Sequence, residues 1–196
     1  MFVQVIKGHT SDAAGLRRQL DRWLSELKPG AVGYLGSTGG IADDGTLVLF
    51  GRFEDAAAAK ANGERAEQTA WWEETSKYFD AEPTFRESTD TTSLLAGGSN
   101  NAGFVQIMEG TVKDRAKAEA FETPEMLAEL QAARPDLIGA FRVWFDGGTC
   151  AEAAYFTSEA DARKGESSAD FSGTQNEYMA LFSEMTFTDL REPFLD

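Results

Sequence analysis

One histidine and one cysteine are all that these 196 residues hold of the side chains most used for metal ligation and nucleophilic catalysis. A zinc site rich in His and Cys is therefore excluded, and no intrachain disulfide can form. A lone thiol suits a reducing compartment, so a cytoplasmic protein is expected. Long apolar runs are missing, and the N-terminus has no basic stretch followed by an apolar core, so neither a membrane span nor a signal peptide is expected. Basic residues are scarce: 18 Lys and Arg stand against 33 Asp and Glu, a formal net charge of −15. That balance repels phosphate backbones and anionic lipid, so nucleic acid and membrane surfaces are not expected as partners. No glycine-rich phosphate loop follows a strand; Gly36-Ser37-Thr38-Gly39-Gly40 precedes a hairpin, and Asp43-Asp44 is too short to hold a hard cation. No metal and no cofactor is expected.

What the chain does contain, it contains nearly twice. Phe2-Val3-Gln4-Val5-Ile6-Lys7-Gly8 returns as Phe104-Val105-Gln106-Ile107-Met108-Glu109-Gly110. A repeat spaced this widely is a whole domain rather than a solenoid unit. The small, polar run Ala96–Ala102 lies between the copies and reads as a linker, so the expected division is 1–95, 96–102 and 103–196.

Within the first copy, Met1–Lys7 reads as a strand. Ser11 or Asp12 caps a helix whose apolar stripe is Leu16, Leu20, Trp23, Leu24 and Leu27, stopped at Lys28-Pro29-Gly30. Ala31–Ser37 and Thr46–Phe53 are strands, with a loop at Gly39-Gly40 and a turn at Asp43-Asp44-Gly45. Helical stretches follow to Lys60 and from about Ala66 to Phe79. A fourth strand starts at Pro83–Ser88 and extends toward Leu95. The second copy repeats the plan, with Thr123 capping a helix that opens on Pro124, strands at Leu137–Phe145 and Thr149–Phe156, and a late helix from about Thr174 to Phe182. Gly33 aligns with Gly139, and Phe53 with Phe156.

A βαββαβ unit forms a four-stranded antiparallel sheet with both helices on one side. In these strands apolar residues occupy both alternating faces, so the uncovered face of each sheet is expected to be buried as well. The expected fold is α+β: two tandem ferredoxin-like βαββαβ repeats packed sheet-to-sheet as an intrachain dimeric α/β-barrel. A further homodimer of chains is left open.

This element order resembles the dimeric α+β barrel superfamily and, within it, the antibiotic biosynthesis monooxygenase-like group. Arg65-Ala66-Glu67-Gln68-Thr69-Ala70-Trp71-Trp72-Glu73-Glu74 also resembles uncharacterised bacterial tandem proteins of that kind. The resemblance implies a small apolar or aromatic metabolite as ligand, and a cofactor-independent monooxygenase as a candidate activity. Haem-binding relatives carry an axial histidine on the second helix, and neither copy has one there.

Candidate site residues follow from strand parity. With Val3 and Val5 toward the helices, Gln4 and its counterpart Gln106 face the interior between the sheets, as ligand contacts or as a pair. Arg52 aligns with Tyr155; an inward Arg can hold an anion, and a tyrosine can donate a proton or a hydrogen bond. Trp71 and Trp72 lie on the second helix. The second copy offers Thr174 and Gln175 near those positions, so the pair is not repeated, and one half is expected to carry a pocket that the other lacks. Asn62 ends the preceding helix and points the same way. His9 follows the first strand and is a candidate general base. Cys150 reads as a buried small hydrophobe. Two functions remain open: an enzyme acting through an enolate or phenolate, as monooxygenase or isomerase, and a non-catalytic ligand-binding or scaffold module with a filled barrel.

Overall fold

A computed structural model describes residues 1–167 and 172–196. The chain divides into two compact units, Met1–Thr89 with Phe194–Asp196, and Asp90–Pro193. In the first, strands β1 (Phe2–His9), β2 (Tyr34–Ile41), β3 (Thr46–Phe53) and β4 (Thr84–Ser88) accompany helices α1 (Ala13–Arg22), α2 (Ala56–Gly63) and α3 (Ala66–Thr75). Strand β5 (Thr91–Leu94) opens the second unit, ahead of β6 (Phe104–Val112). Helices α4 (Arg115–Phe121) and α5 (Pro124–Ala133) lead to β7 (Leu137–Trp144) and β8 (Thr149–Phe156), and α6 (Glu159–Glu166) and α7 (Ser172–Met179) to β9 (Phe182–Leu190). A final strand, β10, is Phe194–Leu195. The fold is α+β, two ferredoxin-like repeats in tandem, each with the expected βαββαβ core.

Local chemistry explains most boundaries. The Asp12 side chain accepts from the Gly15 backbone N–H and starts α1; Thr123 accepts from Met126 N–H, with Pro124 at the first helical position of α5. Gly45, at φ +88°, closes the β2–β3 hairpin in a backbone region that side chains avoid.

Three expectations are corrected. The fourth strand ends at Ser88 instead of running toward Leu95; Thr91–Leu94 forms a separate strand paired with β7, and Phe194–Leu195 pairs with β2. Both sheets therefore have five strands, ordered β10-β2-β3-β1-β4 and β5-β7-β8-β6-β9. Gly39 and Gly40 are not a loop; they lie inside β2, where a Cβ on Gly39 would fall 2.4 Å from the Val48 carbonyl. The true counterpart of Gly139 is Gly36: both follow a bulge, and they pair with Tyr155 and Arg52 respectively.

Strand parity is also reversed in β1. The helix-side core of the first unit joins Leu16, Leu20, Trp23 and Leu27 to Leu47, with Ile6 and Leu49 against it. The β1–β3 register places Gln4 opposite Gly51 and Ile6 opposite Leu49, so Gln4 faces the helices. Val3 and Val5 share the other face with Val48, Phe50 and Arg52. Both faces of β1 hold buried apolar side chains, as Val3, Val5 and Phe2 show, and burial alone therefore could not tell the faces apart. Among the described residues, no helix is long and apolar enough to cross a membrane.

Candidate functional site

The second unit holds a cavity of about 510 Å³ between its helices and its sheet. That size is typical of small-molecule sites. The floor comes from alternate residues of the strands: Gln106 and Met108 on β6, Ala140 on β7, and Glu152, Ala154 and Phe156 on β8. The walls come from Phe121 at the end of α4, Met126, Leu127 and Leu130 on α5, and Tyr178 and Met179 on α7. Small side chains at Ala140 and Ala154 lower the floor, and long flexible ones form the walls, which leaves an apolar chamber able to adapt to its contents.

One end of the chamber is charged. Arg142 and Glu152 face each other across β7 and β8. Both Arg142 Nε (2.6 Å) and Nη2 (2.5 Å) contact Glu152 Oε2. Arg142 Nη1 lies 2.7 Å from Glu122 Oε1, an ion-pair contact without hydrogen-bond alignment. The Tyr178 hydroxyl donates to Glu122 and accepts from Arg142 Nη2. The Arg142 side chain is 1% exposed, that of Glu122 5% and that of Glu152 8%, so both carboxyl groups share one guanidinium almost out of water. Trp144 and Phe182 carry the guanidinium over their ring faces.

Burial is the chief force on this group. It pushes the Glu152 carboxyl up, Arg142 opposes it, and the charge of Glu122 adds to the rise. Burial and the Glu152 charge push the Tyr178 phenol up, so it stays a neutral donor. Burial works against the charge of Arg142, but Glu152, Tyr178 and Glu122 outweigh it and the net direction is upward. Because both Arg142 contacts go to Oε2, Glu152 Oε1 has no hydrogen-bond partner among the described residues. The other cations around the chamber are engaged. Arg134 holds Asp136 at 2.7 Å, and Arg163 bonds Glu166 and Asp189.

The first unit has only about 90 Å³ in the corresponding place. Aromatic side chains fill it. Trp23 and Tyr34 stack edge-on at 4.9 Å, Tyr34 and Phe53 at 5.6 Å, and Trp71 donates its indole N–H to the Gln19 carbonyl at 2.9 Å. The charged pair is missing too: Gly39 faces Leu49 where the second repeat has Arg142 and Glu152. The two halves do differ, and the far larger cavity is in the second half. Trp71, expected to line a pocket, lines only the small cavity that remains.

The residues singled out from sequence do not meet at one place. Gln106 lines the large cavity and donates to Asp189 at 3.0 Å; Gln4 lines the small one and donates to Glu87 at 2.9 Å. Each amide thus finds its partner on the neighbouring strand of its own sheet. Asn62 and Trp71 line the small cavity, with Asn62 Oδ1 accepting from Arg65 at 2.9 Å. Trp72 packs on Phe79 and Phe85. Arg52 donates to Thr38 at 3.0 Å and to the Asp196 carbonyl at 3.1 Å, outside the linings of both cavities. Tyr155 is buried on the sheet face opposite Glu152 and Ala154, away from the chamber. His9 is exposed, with Nδ1 2.6 Å from Asp80 and Nε2 2.7 Å from the Asp44 carbonyl. The side chains of Thr174 and Gln175 lie outside the described residues. Among the described residues, no group of three or more His, Cys, Asp or Glu side chains could hold a metal ion. Sequence reasoning missed Glu122, Arg142, Glu152 and Tyr178. A signal was present: Arg142 and Glu152 are isolated charges in otherwise apolar strands, and the alignment of Phe53 with Phe156 sets Glu152 against Leu49.

No protein-family model matches the chain, and no curated protein matches it. Solved structures do. A "putative monooxygenase" from Lactobacillus acidophilus superposes with a TM-score of 0.70 at 11% identity, over 100% of this chain and 98% of that one. Another from Fusobacterium nucleatum gives 0.74 at 9%, over 96% and 90%. An anthrone oxidase-like protein gives 0.68 at 9%, over 99% and 92%. The chain therefore shares the fold of these three structures along nearly its whole length.

Proposed function

We propose that the protein binds a small, largely apolar, ring-sized metabolite in the chamber of the second repeat, and that it is a monooxygenase needing no bound cofactor. The observation that carries the binding reading is the 510 Å³ apolar chamber closed at one end by Glu152, Glu122 and Tyr178. The oxygenase reading is supported by the names of the full-length structural neighbours. In such a reaction a CH2 group beside a carbonyl becomes C=O. Dioxygen gives one atom to the product and leaves as water with the two hydrogens. The packed, non-catalytic module considered from sequence describes the first repeat better, where about 90 Å³ remains. The proposal keeps the protein in the cytoplasm, without nucleic acid as partner, in line with one cysteine and a net charge of −15. It leaves room for a homodimer.

A thermal-shift panel of two- and three-ring aromatic compounds tests it. Several members should raise the melting temperature, and Met126→Trp, which fills the chamber from α5, should abolish the shift. Stabilisation that survives Met126→Trp, or none from any compound, would remove the reading. Oxygen consumption with those that bind then tests the oxygenase.

A further inference from the structure

We infer that the ligand of the second-repeat chamber carries a protonated amine, seated against Glu152 Oε1. The inference rests on the binding reading above and adds the ligand's charge to it.

Charge has to balance at the buried end of the chamber. Glu122 and Glu152 both lean on Arg142, and no other cation touches either carboxyl among the described residues. Tyr178 is neutral, so with both carboxyl groups ionised one negative charge at the chamber's end would be unmatched. The other charged groups on the chamber walls do not supply the match. Arg134, at the end of α5, is taken by Asp136; Arg163 on α6 is taken by Glu166 on the same helix and Asp189 on β9. Gln106 on β6 gives its amide N–H to Asp189. Buried charge without a partner is costly, and it is compensated by a proton or by a counter-charge. With the chamber empty, the proton on Glu152 serves. A ligand ammonium serves better, because it brings its own N–H donors to Glu152 Oε1, which accepts from no described residue. Glu152 is itself only 6% exposed, so the contact forms away from water. The rest of the chamber (Met108, Leu130, Ala154 and Phe156) offers a greasy bed for the ligand's body. An anionic head, in contrast, adds a negative charge beside two carboxyl groups and brings no donor to either.

A proton must leave Glu152 for the ammonium to bind. Amine affinity should therefore rise with pH through the titration of that carboxyl, and fall again only as the ammonium itself deprotonates, at about pH 9–10 for simple amines.

Isothermal titration calorimetry of the full chain with three matched probes decides the matter: 2-naphthylmethylamine, 2-naphthalenemethanol and 2-naphthoate. The amine should bind at least tenfold more tightly than the alcohol, release protons on binding, and leave the carboxylate weakest. Glu152→Gln, which keeps the shape and an acceptor for Arg142, should reduce the amine's advantage to within threefold. Should that variant misfold by circular dichroism, Glu122→Gln is expected to erode the advantage in the same direction. If the alcohol binds as tightly as the amine, or the advantage survives in every folded variant, the inference is wrong while the chamber remains a binding site. If neither this trio nor the aromatic panel binds, the binding reading falls and takes the inference with it.

Discussion

Arg142 and Glu152 sit opposite one another on adjacent strands of the second sheet, 2.6 Å apart, and are the two charged groups around which the chamber's end is built. Their counterparts in the first repeat are Gly39 and Leu49. One repeat thus spends the position on packing and the other on a buried charge.

Removing the cation should be far worse than removing an anion. Arg142→Met leaves Glu122 and Glu152 buried together without a counter-charge and should destabilise the fold by about 3–5 kcal/mol. Glu152→Gln keeps a neutral acceptor beside the guanidinium and should cost clearly less. Urea unfolding followed by circular dichroism ranks the two; equal losses would show that the cluster is not held by charge.

Close backbone approach makes two glycines irreplaceable. A Cβ on Gly139 would lie 1.9 Å from the Gly97 carbonyl, and one on Gly36, at φ +130°, 2.3 Å from the Asp196 carbonyl. Alanine at either should cost about 2 kcal/mol or more, since the backbone just after the fifth strand of that sheet has to move. Gly63, in α2, has nothing within 4 Å of a built Cβ. Gly63→Ala should therefore be neutral or stabilise by up to about 1 kcal/mol. The same unfolding curves check all three.

Trp71 is 6% exposed and fills the first repeat's helix–sheet gap. Trp71→Ala should cost about 3–5 kcal/mol and enlarge the small cavity. The variant should not affect binding of aromatic probes in the second repeat; a changed affinity there would place Trp71 in the site after all.

His9 and Asp80 define a pH window. The hydrogen bond to Asp80 raises the imidazole above its ordinary 6.5, with the Asp44 carbonyl adding to it, and the His9 bond lowers the Asp80 carboxyl below its ordinary 3.8. A raised folded value means that the His9 contribution is complete below about 6.5 and is lost as pH climbs through the higher, folded value. A lowered one means that the Asp80 contribution is complete above its unfolded value and is lost as pH falls through the folded one. The pair therefore helps most between the two titrations. Histidine proton shifts in NMR should report a value above 6.5 that drops in Asp80→Asn; an unmoved value would mean that the contact does not form.

Repeat, element order and fold class were legible in the amino-acid sequence because they rest on local rules. Strand and helix periods, the caps at Asp12 and Thr123, and the turn at Gly45 each involve residues a few positions apart. The two copies of Phe-Val-Gln marked the duplication. The tertiary structure alone decided which face of β1 meets the helices, because Phe2, Val3 and Val5 are buried and apolar residues sit on both sides. It alone showed that Thr91–Leu94 and Phe194–Leu195 leave the β4- and β9-type strands to pair with β7 and β2. And it alone located the chamber, because cavity volume depends on what side chains from distant helices fill. Trp23 and Trp71 close the space in one repeat, whereas in the other Glu122, Arg142, Glu152 and Tyr178 come together from four separate stretches of chain to give it a charged end.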